Sequence, residues 1–220
     1  MKNFLFLIFL VYCLSFSRIS LQMSFASEKS SLIGMVLVPE GLYISGSNKY
    51  NDERPSRKIY LDTFYIDKFE VTQKEFKKIM NFNPSEFRGE SLPVDRVDWY
   101  QARDYCNKSG KRLPTEAEWE KSARSGSKSK YYWGEEIDDS YAWHWDNSGR
   151  KTRPVGEKKP NKLGLYDTAG NVWEWTADWY DQHYYQSRSL RNPKSPFNGK
   201  HRVLRGGSFI DKTDGLRVTR

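Results

Sequence analysis

The chain has 220 residues, of which 36 are Lys or Arg and 28 are Asp or Glu, so its formal net charge is +8. Hydrophobic residues make up 37 % and aromatic residues 15 %, which is too aromatic for a disordered chain and too poor in aliphatic residues for a membrane bundle. Length and composition together predict one compact domain with many aromatic side chains and much loop.

The first residues are typical of an export signal. Lys2 precedes an apolar run over residues 4–14, about half the roughly 20 residues that a membrane-spanning helix needs. A small-x-small cleavage site follows at Ser24-Phe25-Ala26. We therefore expect a signal peptide over residues 1–26 and an exported chain that is periplasmic, cell-surface or secreted. Two alternatives stay open, an uncleaved anchor and lipidation of Cys13, and only these would bring the protein into contact with a membrane.

Residues 27–220 carry a net charge of +6 and a single cysteine, Cys106. One cysteine cannot form a disulfide within the chain, so the fold has no such crosslink. Basic and acidic residues alternate without a basic block, which argues against a nucleic-acid partner. Cys106 falls at helical spacing with apolar residues and is interpreted as a small buried hydrophobe.

The segment over 27–34 is a polar linker, and we expect one domain over residues 35–220. Short apolar runs and one alternating run over residues 59–69 predict strands, with residues 125–164 as an ordered aromatic-rich loop region. The predicted strands are Met35–Pro39, Gly41–Gly46, Ile59–Phe69, Val172–Thr176 and Arg202–Arg205.

Three helices are predicted from one start signal. In a capping box the first side chain accepts a hydrogen bond from the opening turn, and the residue three positions later bonds back to the first. The signals are Thr72-x-x-Glu75, Asp98-x-x-Gln101 and Thr115-x-x-Glu118.

Enzyme signatures are scarce. The three histidines, His144, His183 and His201, have no paired spacing for a metal, and no phosphate-binding glycine loop occurs. We expect each histidine to lie at the surface or against aromatic rings.

The best local candidate for a functional site is a turn with two carboxylates. Asp167 and Glu174 are seven residues apart and flank Ala169-Gly170-Asn171, a turn that could direct carbonyl oxygens inward. Ca²⁺ prefers carboxylate and carbonyl oxygens together. Spacing alone leaves two interpretations open, a calcium site or an ordinary Asx turn with a surface Glu.

The same residues resemble a known family. Residues 164–175, GLYDTAGNVWEW, resemble the core motif of the formylglycine-generating enzyme, or sulfatase-modifying factor, family. Further segments resemble that family's motifs in the family's order, over about 185 residues in all. These are Met35–Gly46, Phe64–Thr72, Pro93–Ala102, Arg112–Glu120 (RLPTEAEWE) and Arg202–Ser208 (RVLRGGS).

The resemblance implies a fold and a metal. The fold would be an α+β, C-type-lectin-like domain, loop-rich with short strands and about three helices. The family's structural Ca²⁺ would be held by the side chains of Asp167 and Glu174 and the carbonyls of Gly170 and Val172. A second family calcium site has no clear match, although Asp146-Asn147 lies in its region.

The resemblance also marks what this chain lacks. Catalytic members use two copper-binding cysteines after the GGS motif, and Asp211 and Leu216 stand at about those positions. Neither can be a thiolate ligand for copper(I), so we expect no copper. Ser208 and Trp173 match residues near the family's oxygen pocket and are interpreted as structural. Family members continue to a closing strand, which we expect to be missing here.

These expectations combine into a functional hypothesis. The chain is predicted to be an exported, non-catalytic, calcium-braced binding or accessory module with a protein or peptide partner. The alternative is a formylglycine-generating oxidoreductase that converts a sulfatase cysteine to formylglycine.

Overall fold

A computed structural model of the chain describes residue 32 and residues 34–220. The predicted signal peptide over 1–26 and most of the linker over 27–34 lie outside the described residues. The described part contains six strands, four α-helices and a 3₁₀ helix, Thr213–Leu216. The strands are β1 (Met35–Val38), β2 (Gly41–Ser45), β3 (Arg57–Leu61), β4 (Phe64–Asp67), β5 (Glu174–Trp179) and β6 (Arg202–Arg205). The α-helices are α1 (Gln73–Met80), α2 (Trp99–Lys108), α3 (Glu116–Arg124) and α4 (Tyr184–Ser187).

The first three helices begin where the capping boxes predict. In each, the cap side chain accepts from the backbone N–H three residues later, and the side chain there accepts from the cap's own N–H. Both bonds satisfy donors that a helix start otherwise leaves free. The sequence prediction of these helices is confirmed, whereas the single turn of α4 was not predicted.

The strands form three two-stranded sheets in the described chain, β1 with β4, β2 with β3 and β5 with β6. The single strand predicted over residues 59–69 is wrong, because the chain leaves the sheet at Asp62 and Thr63 and resumes as β4. The backbone N–H of Asp62 donates to Asn192 Oδ1 (2.9 Å), and its carboxylate binds Arg191 (2.6 Å). A contact 130 residues away therefore breaks the alternating run.

Helix α3 is buried along almost its whole length. Trp119 and Ala123 on its inner face are 1 % and 0 % exposed. The same helix buries Glu120, which accepts from Ser45 Oγ and from the backbone N–H of Gly46 (2.8 Å) and pairs with Arg124. Burying a charge is unfavourable unless it is paired and hydrogen-bonded, and here both carboxylate oxygens accept hydrogen bonds. This network joins α3 to the end of β2.

The irregular region over residues 125–164 is ordered around aromatic side chains, as predicted. Tyr131 stacks on Trp133 with ring centroids 4.8 Å apart, and Trp133 stacks on Tyr141 at 5.2 Å. Tyr131 belongs to a core cluster with Leu216 and Val218. Aromatic packing replaces regular secondary structure here, because each ring buries a large apolar area without a backbone ladder.

Candidate calcium-binding turn

The turn before β5 is shaped by residues in left-handed conformations. Asp167, Gly170 and Asn171 have φ values of 55°, 86° and 54°. A Cβ on Gly170 would lie 2.2 Å from the carbonyl oxygen of Trp143, so only glycine fits this position. The N–H of Gly170 donates to the carbonyl of Gly206 (2.9 Å), and the N–H of Asn171 donates to that of Trp143 (2.9 Å). The turn is thus held by backbone from two distant segments.

The two carboxylates predicted to bind calcium flank this turn in buried surroundings. Asp167 is 1 % exposed and accepts from the N–H of Gly156 (2.7 Å), and burial raises its pKa to about 6. Glu174, half-buried at the start of β5, accepts from Trp119 Nε1 (3.0 Å). Burial raises the pKa of Glu174 to about 7, and the negative charge of Asp167 adds to the effect. Both groups therefore resist ionisation unless a positive charge joins them.

A third carboxylate, Glu70, lies at the same turn and was not predicted. It is 8 % exposed and accepts from Asn171 Nδ2 (2.6 Å) and from the N–H of Val172 (3.0 Å). Burial, followed by the charges of Asp167 and Glu174, raises the pKa of Glu70 well above its ordinary value. Glu70 falls within the family-like segment Phe64–Thr72, and that motif was the one signal that could have directed attention to it.

The donor set around the turn suits a hard cation. Within the described chain no hydrogen-bond donor meets the carbonyl oxygens of Gly170 and Val172, the two predicted calcium ligands. Among the described residues, Lys158 lowers the pKa of Asp167 only weakly, and no basic side chain is a leading influence on the pKa of Glu70 or Glu174. The described residues hold no group of three Asp, Glu, His or Cys side chains arranged for a metal. A cation here would need the carbonyl oxygens as well as the carboxylates, and both are available.

Sequence comparison identifies the family. The sequence model of the sulfatase-modifying factor enzyme 1-like domain matches residues 22–220. The chain belongs to this family. It is 32 % identical to the chaperone protein LppX of Paenibacillus barcinonensis, with 84 % of this chain and 81 % of that protein covered. It is also 32 % identical to the formylglycine-generating enzyme of Bos taurus, with 80 % of this chain and 66 % of that enzyme covered.

Solved structures of similar proteins have the same fold as this sulfatase-modifying factor domain. Treponema denticola variable protein 1 is 31 % identical with a TM-score of 0.78, over 84 % of this chain and 87 % of that one. PvdO from Pseudomonas aeruginosa is 25 % identical with a TM-score of 0.73, over 84 % and 85 %. The predicted loop-rich α+β fold of the family is confirmed.

The segment over residues 209–220, which follows Gly206-Gly207-Ser208, contains no cysteine. Asp211 accepts from Ser208 Oγ at 2.5 Å. Leu216 is 1 % exposed and packs in the aromatic core cluster. These residues do not fit copper(I), which selects soft thiolate ligands. Cys106, the one free cysteine in the described residues, is half-buried on α2, where burial raises its pKa to about 11 and keeps it a thiol.

The other residues singled out by the family resemblance are Trp173, Asp146 and Asn147. Trp173 lines a cavity of about 240 Å³ together with Glu116, Tyr185 and Arg205. Asp146 is exposed, and the side chain of Asn147 is engaged in its own loop, where Nδ2 donates to the carbonyl of Ala142 (2.9 Å).

The three histidines differ in their exposure to solvent. His144 is 2 % exposed and bonds to Asp139 (2.8 Å), whereas His183 and His201 are exposed. None of the helices in the described residues is long and apolar enough to cross a membrane.

Proposed function

We propose that this chain is an exported, calcium-braced binding module of the sulfatase-modifying factor family, and that it contacts a protein or peptide partner without formylglycine chemistry. The observation that carries the proposal is a set of three buried or half-buried carboxylates at one turn, Glu70, Asp167 and Glu174, which have no ion pair with a basic side chain in the described residues. Export is supported by the apolar run over residues 4–14.

The calcium part of the proposal follows from charge balance. Burial raises the pKa of all three carboxylates, the charges of Asp167 and Glu174 raise that of Glu70 further, and the charge of Asp167 raises that of Glu174. Charges without a partner in such a site either take up protons or bind a cation. Asp167 and Glu174 would bind through carboxylate oxygens, and Gly170 and Val172 through their carbonyls. Glu70 would add negative charge beside the ion while it holds Val172 by its N–H. When bound, the ion would lock the turn that joins Trp143, Gly206 and β5.

The proposed binding role follows from the residues that stand at and after Ser208. Asp211, which accepts a hydrogen bond from Ser208, and the core residue Leu216 stand at about the positions where the family resemblance leads us to expect thiols. A similar protein that is named a chaperone, LppX, covers most of this chain, which supports an accessory role toward another protein.

The partner surface that we propose is an aromatic–arginine ladder. We use this name for Tyr100, Arg103, Trp99, Arg202 and Trp179, whose side chains stack in that order. The Arg103 guanidinium lies 5.3 Å from the Tyr100 ring centroid and 5.4 Å from that of Trp99. The Arg202 guanidinium lies 3.6 Å from Trp99 and 3.4 Å from Trp179. Tyr, Trp and Arg are the residues that dominate binding energy at protein interfaces, and Tyr100 is 60 % exposed.

Thermal unfolding of the purified protein tests the calcium brace. We expect one cooperative transition whose midpoint rises when calcium replaces a chelator, because a ligand that binds only the native state stabilises it. Magnesium is the control ion, since it is smaller and demands a stricter geometry. A midpoint that is the same in calcium and chelator would refute the brace.

Affinity capture tests the ladder. Wild-type protein, a Tyr100→Ala variant and a Tyr65→Ala variant are used as baits in an envelope extract of the source cells, and the bound proteins are quantified by mass spectrometry. Tyr65 is a matched control because it is 45 % exposed on β4 and does not belong to the ladder. We expect at least one captured protein that Tyr100→Ala loses and Tyr65→Ala keeps. Equal capture by all three baits would exclude the ladder as the contact surface.

The alternative, a formylglycine-generating oxidoreductase, is favoured by the similar enzymes from Bos taurus and other organisms. Its test is mass spectrometry of a Cys-x-Pro-x-Arg peptide after incubation with the protein, copper and oxygen. Loss of the thiol sulfur to give an aldehyde would establish this activity and overturn the non-catalytic proposal. An unchanged peptide is what we expect.

A further inference from the structure

A second cleft lies at the segment that follows α4. Its volume is about 510 Å³, within the range of small-molecule sites in proteins. It shares no residue with the calcium-binding turn or with the aromatic–arginine ladder. The lining consists of Asp181, Tyr184, Ser187, Arg188, Ser189, Arg191, Asn192, Lys194 and Pro196.

The most buried polar residue of this cleft is Arg188, which is 5 % exposed. Its guanidinium lies 3.7 Å from the Tyr185 ring centroid, and Nη2 donates to Ser45 Oγ (2.9 Å). Nε and Nη1 are buried and have no hydrogen-bond partner among the described residues. A buried donor without an acceptor is unfavourable, and more so when it is charged, so these two N–H groups call for an acceptor.

Further donors at the cleft are also available. The ammonium of Lys194 is exposed and makes no ion pair or hydrogen bond in the described chain, while the backbone carbonyl of Lys194 accepts from the hydroxyl of Tyr184. Ser187 is exposed at the end of α4, with no hydrogen bond to its hydroxyl in the same part of the structure. Available donors on a backbone segment anchored by Tyr184 can converge on one ligand group.

The acidic residues nearby are engaged elsewhere. Asp181 Oδ1 accepts from the N–H of His183 (2.7 Å) within its own turn. Asp62 pairs with Arg191 at 2.6 Å, which reduces the share of that arginine in ligand binding. Behind Arg188 lies Glu116, whose pKa the charge of Arg188 lowers, so the arginine is balanced on its inner side. Lys194 keeps an unpaired positive charge at the cleft.

We propose that this cleft binds a small organic phosphate or sulfate monoester, with the oxyanion held by Arg188, Lys194 and Ser187. Arginine matches the geometry of such oxyanions with paired donors, and lysine adds a point charge. A free oxyanion would fill only a small part of 510 Å³, so the rest of the cleft is available to the organic group. Tyr184 and Pro196 offer apolar surface to that group.

Isothermal titration calorimetry on the whole protein tests this proposal. The probes are glucose 6-phosphate, glucose 6-sulfate, inorganic phosphate and glucose, the last without charge. We expect saturable binding of a monoester that is tighter than binding of inorganic phosphate, no binding of glucose, and weaker binding as sodium chloride is raised. Binding of inorganic phosphate alone, or no binding of either monoester, would overturn the monoester assignment.

Three variants locate the binding. Lys194→Gln removes one charged donor and should weaken monoester binding about tenfold. Lys128→Gln is the control, since Lys128 is also exposed but is not at the cleft, and it should leave the affinity unchanged. Arg188→Lys keeps the charge that faces Glu116 and removes the unpaired Nε–H and Nη1–H, so binding should be lost. If Arg188→Lys does not fold, the two exposed lysine variants decide, and equal affinity in both would refute the site.

Discussion

Replacement of Glu174 by Gln should change the stability of the protein in opposite directions with and without calcium. Glu174 accepts from Trp119 Nε1, and the amide oxygen of Gln can accept the same bond. The substitution therefore removes a negative charge from the turn with little change in shape. In the absence of a cation this charge is repelled by Asp167 and resists burial.

The size of the effect without calcium follows from the pKa of Glu174. A rise from the ordinary value of 4.5 to about 7 means that ionised Glu174 destabilises the folded state by about 3 kcal/mol at pH 8. Since Glu174 is half-buried and the amide must also be desolvated, we expect Glu174→Gln to gain about 1–2 kcal/mol in chelator at pH 8. That gain corresponds to a rise of the unfolding midpoint by about 2–8 °C for a domain of this size.

With calcium the same substitution should destabilise. Saturating calcium at about a thousand times its Kd stabilises the wild type by about 4 kcal/mol. A hundredfold loss of affinity on removal of one carboxylate ligand subtracts about 2.7 kcal/mol from this, which exceeds the gain expected without the ion.

The assay is calorimetric unfolding at pH 8, for the wild type and for Glu174→Gln, in calcium and in chelator. Glu136→Gln is the matched control, because Glu136 is exposed and its side chain makes no hydrogen bond in the described structure. It should change neither midpoint. If Glu174→Gln lowers the midpoint equally in calcium and in chelator, the charge of Glu174 does not contribute to cation binding, and the calcium site is refuted.

Two further predictions concern Asp178 and Gly170. Burial, followed by the charge of Glu116, raises the pKa of Asp178 from 3.8 to about 7. Between these pH values the folded state retains a proton that the unfolded chain loses, so the stability of the protein falls as pH rises from about 4 to 7. Asp178→Asn can still accept the N–H of Glu116 (2.8 Å) and should flatten urea-unfolding stability over this window, whereas a slope equal to that of the wild type would contradict it. Gly170→Ala should lower stability by about 3 kcal/mol or more because its Cβ would meet the Trp143 carbonyl. Gly164→Ala, with φ of 83° and nothing within 4 Å, should lose only about 1–2 kcal/mol in the same measurement, and equal losses would refute the steric explanation.

Helices α1, α2 and α3 are determined locally, and the sequence alone therefore predicted them. Each capping box, such as Thr115 with Glu118, is complete within four residues, and its hydrogen bonds form without help from the rest of the chain. The carboxylates Asp167 and Glu174 were also identified from the sequence, because both belong to one short motif. The family fold followed from several such motifs in order.

Tertiary structure alone decided where distant residues meet. The alternating run over residues 59–69 carries no sign of its break at Asp62, because the partner of that residue, Asn192, is 130 residues away. Glu70 joins the turn of Asp167 by bonds across about 100 residues, and the bond from Arg188 to Ser45 spans 143. Local propensities and caps are properties of a few consecutive residues, whereas the burial and charge that perturb a carboxylate depend on which segments pack around it. For that reason the sequence determined the elements and the motif, and only the fold showed which charges lack a partner.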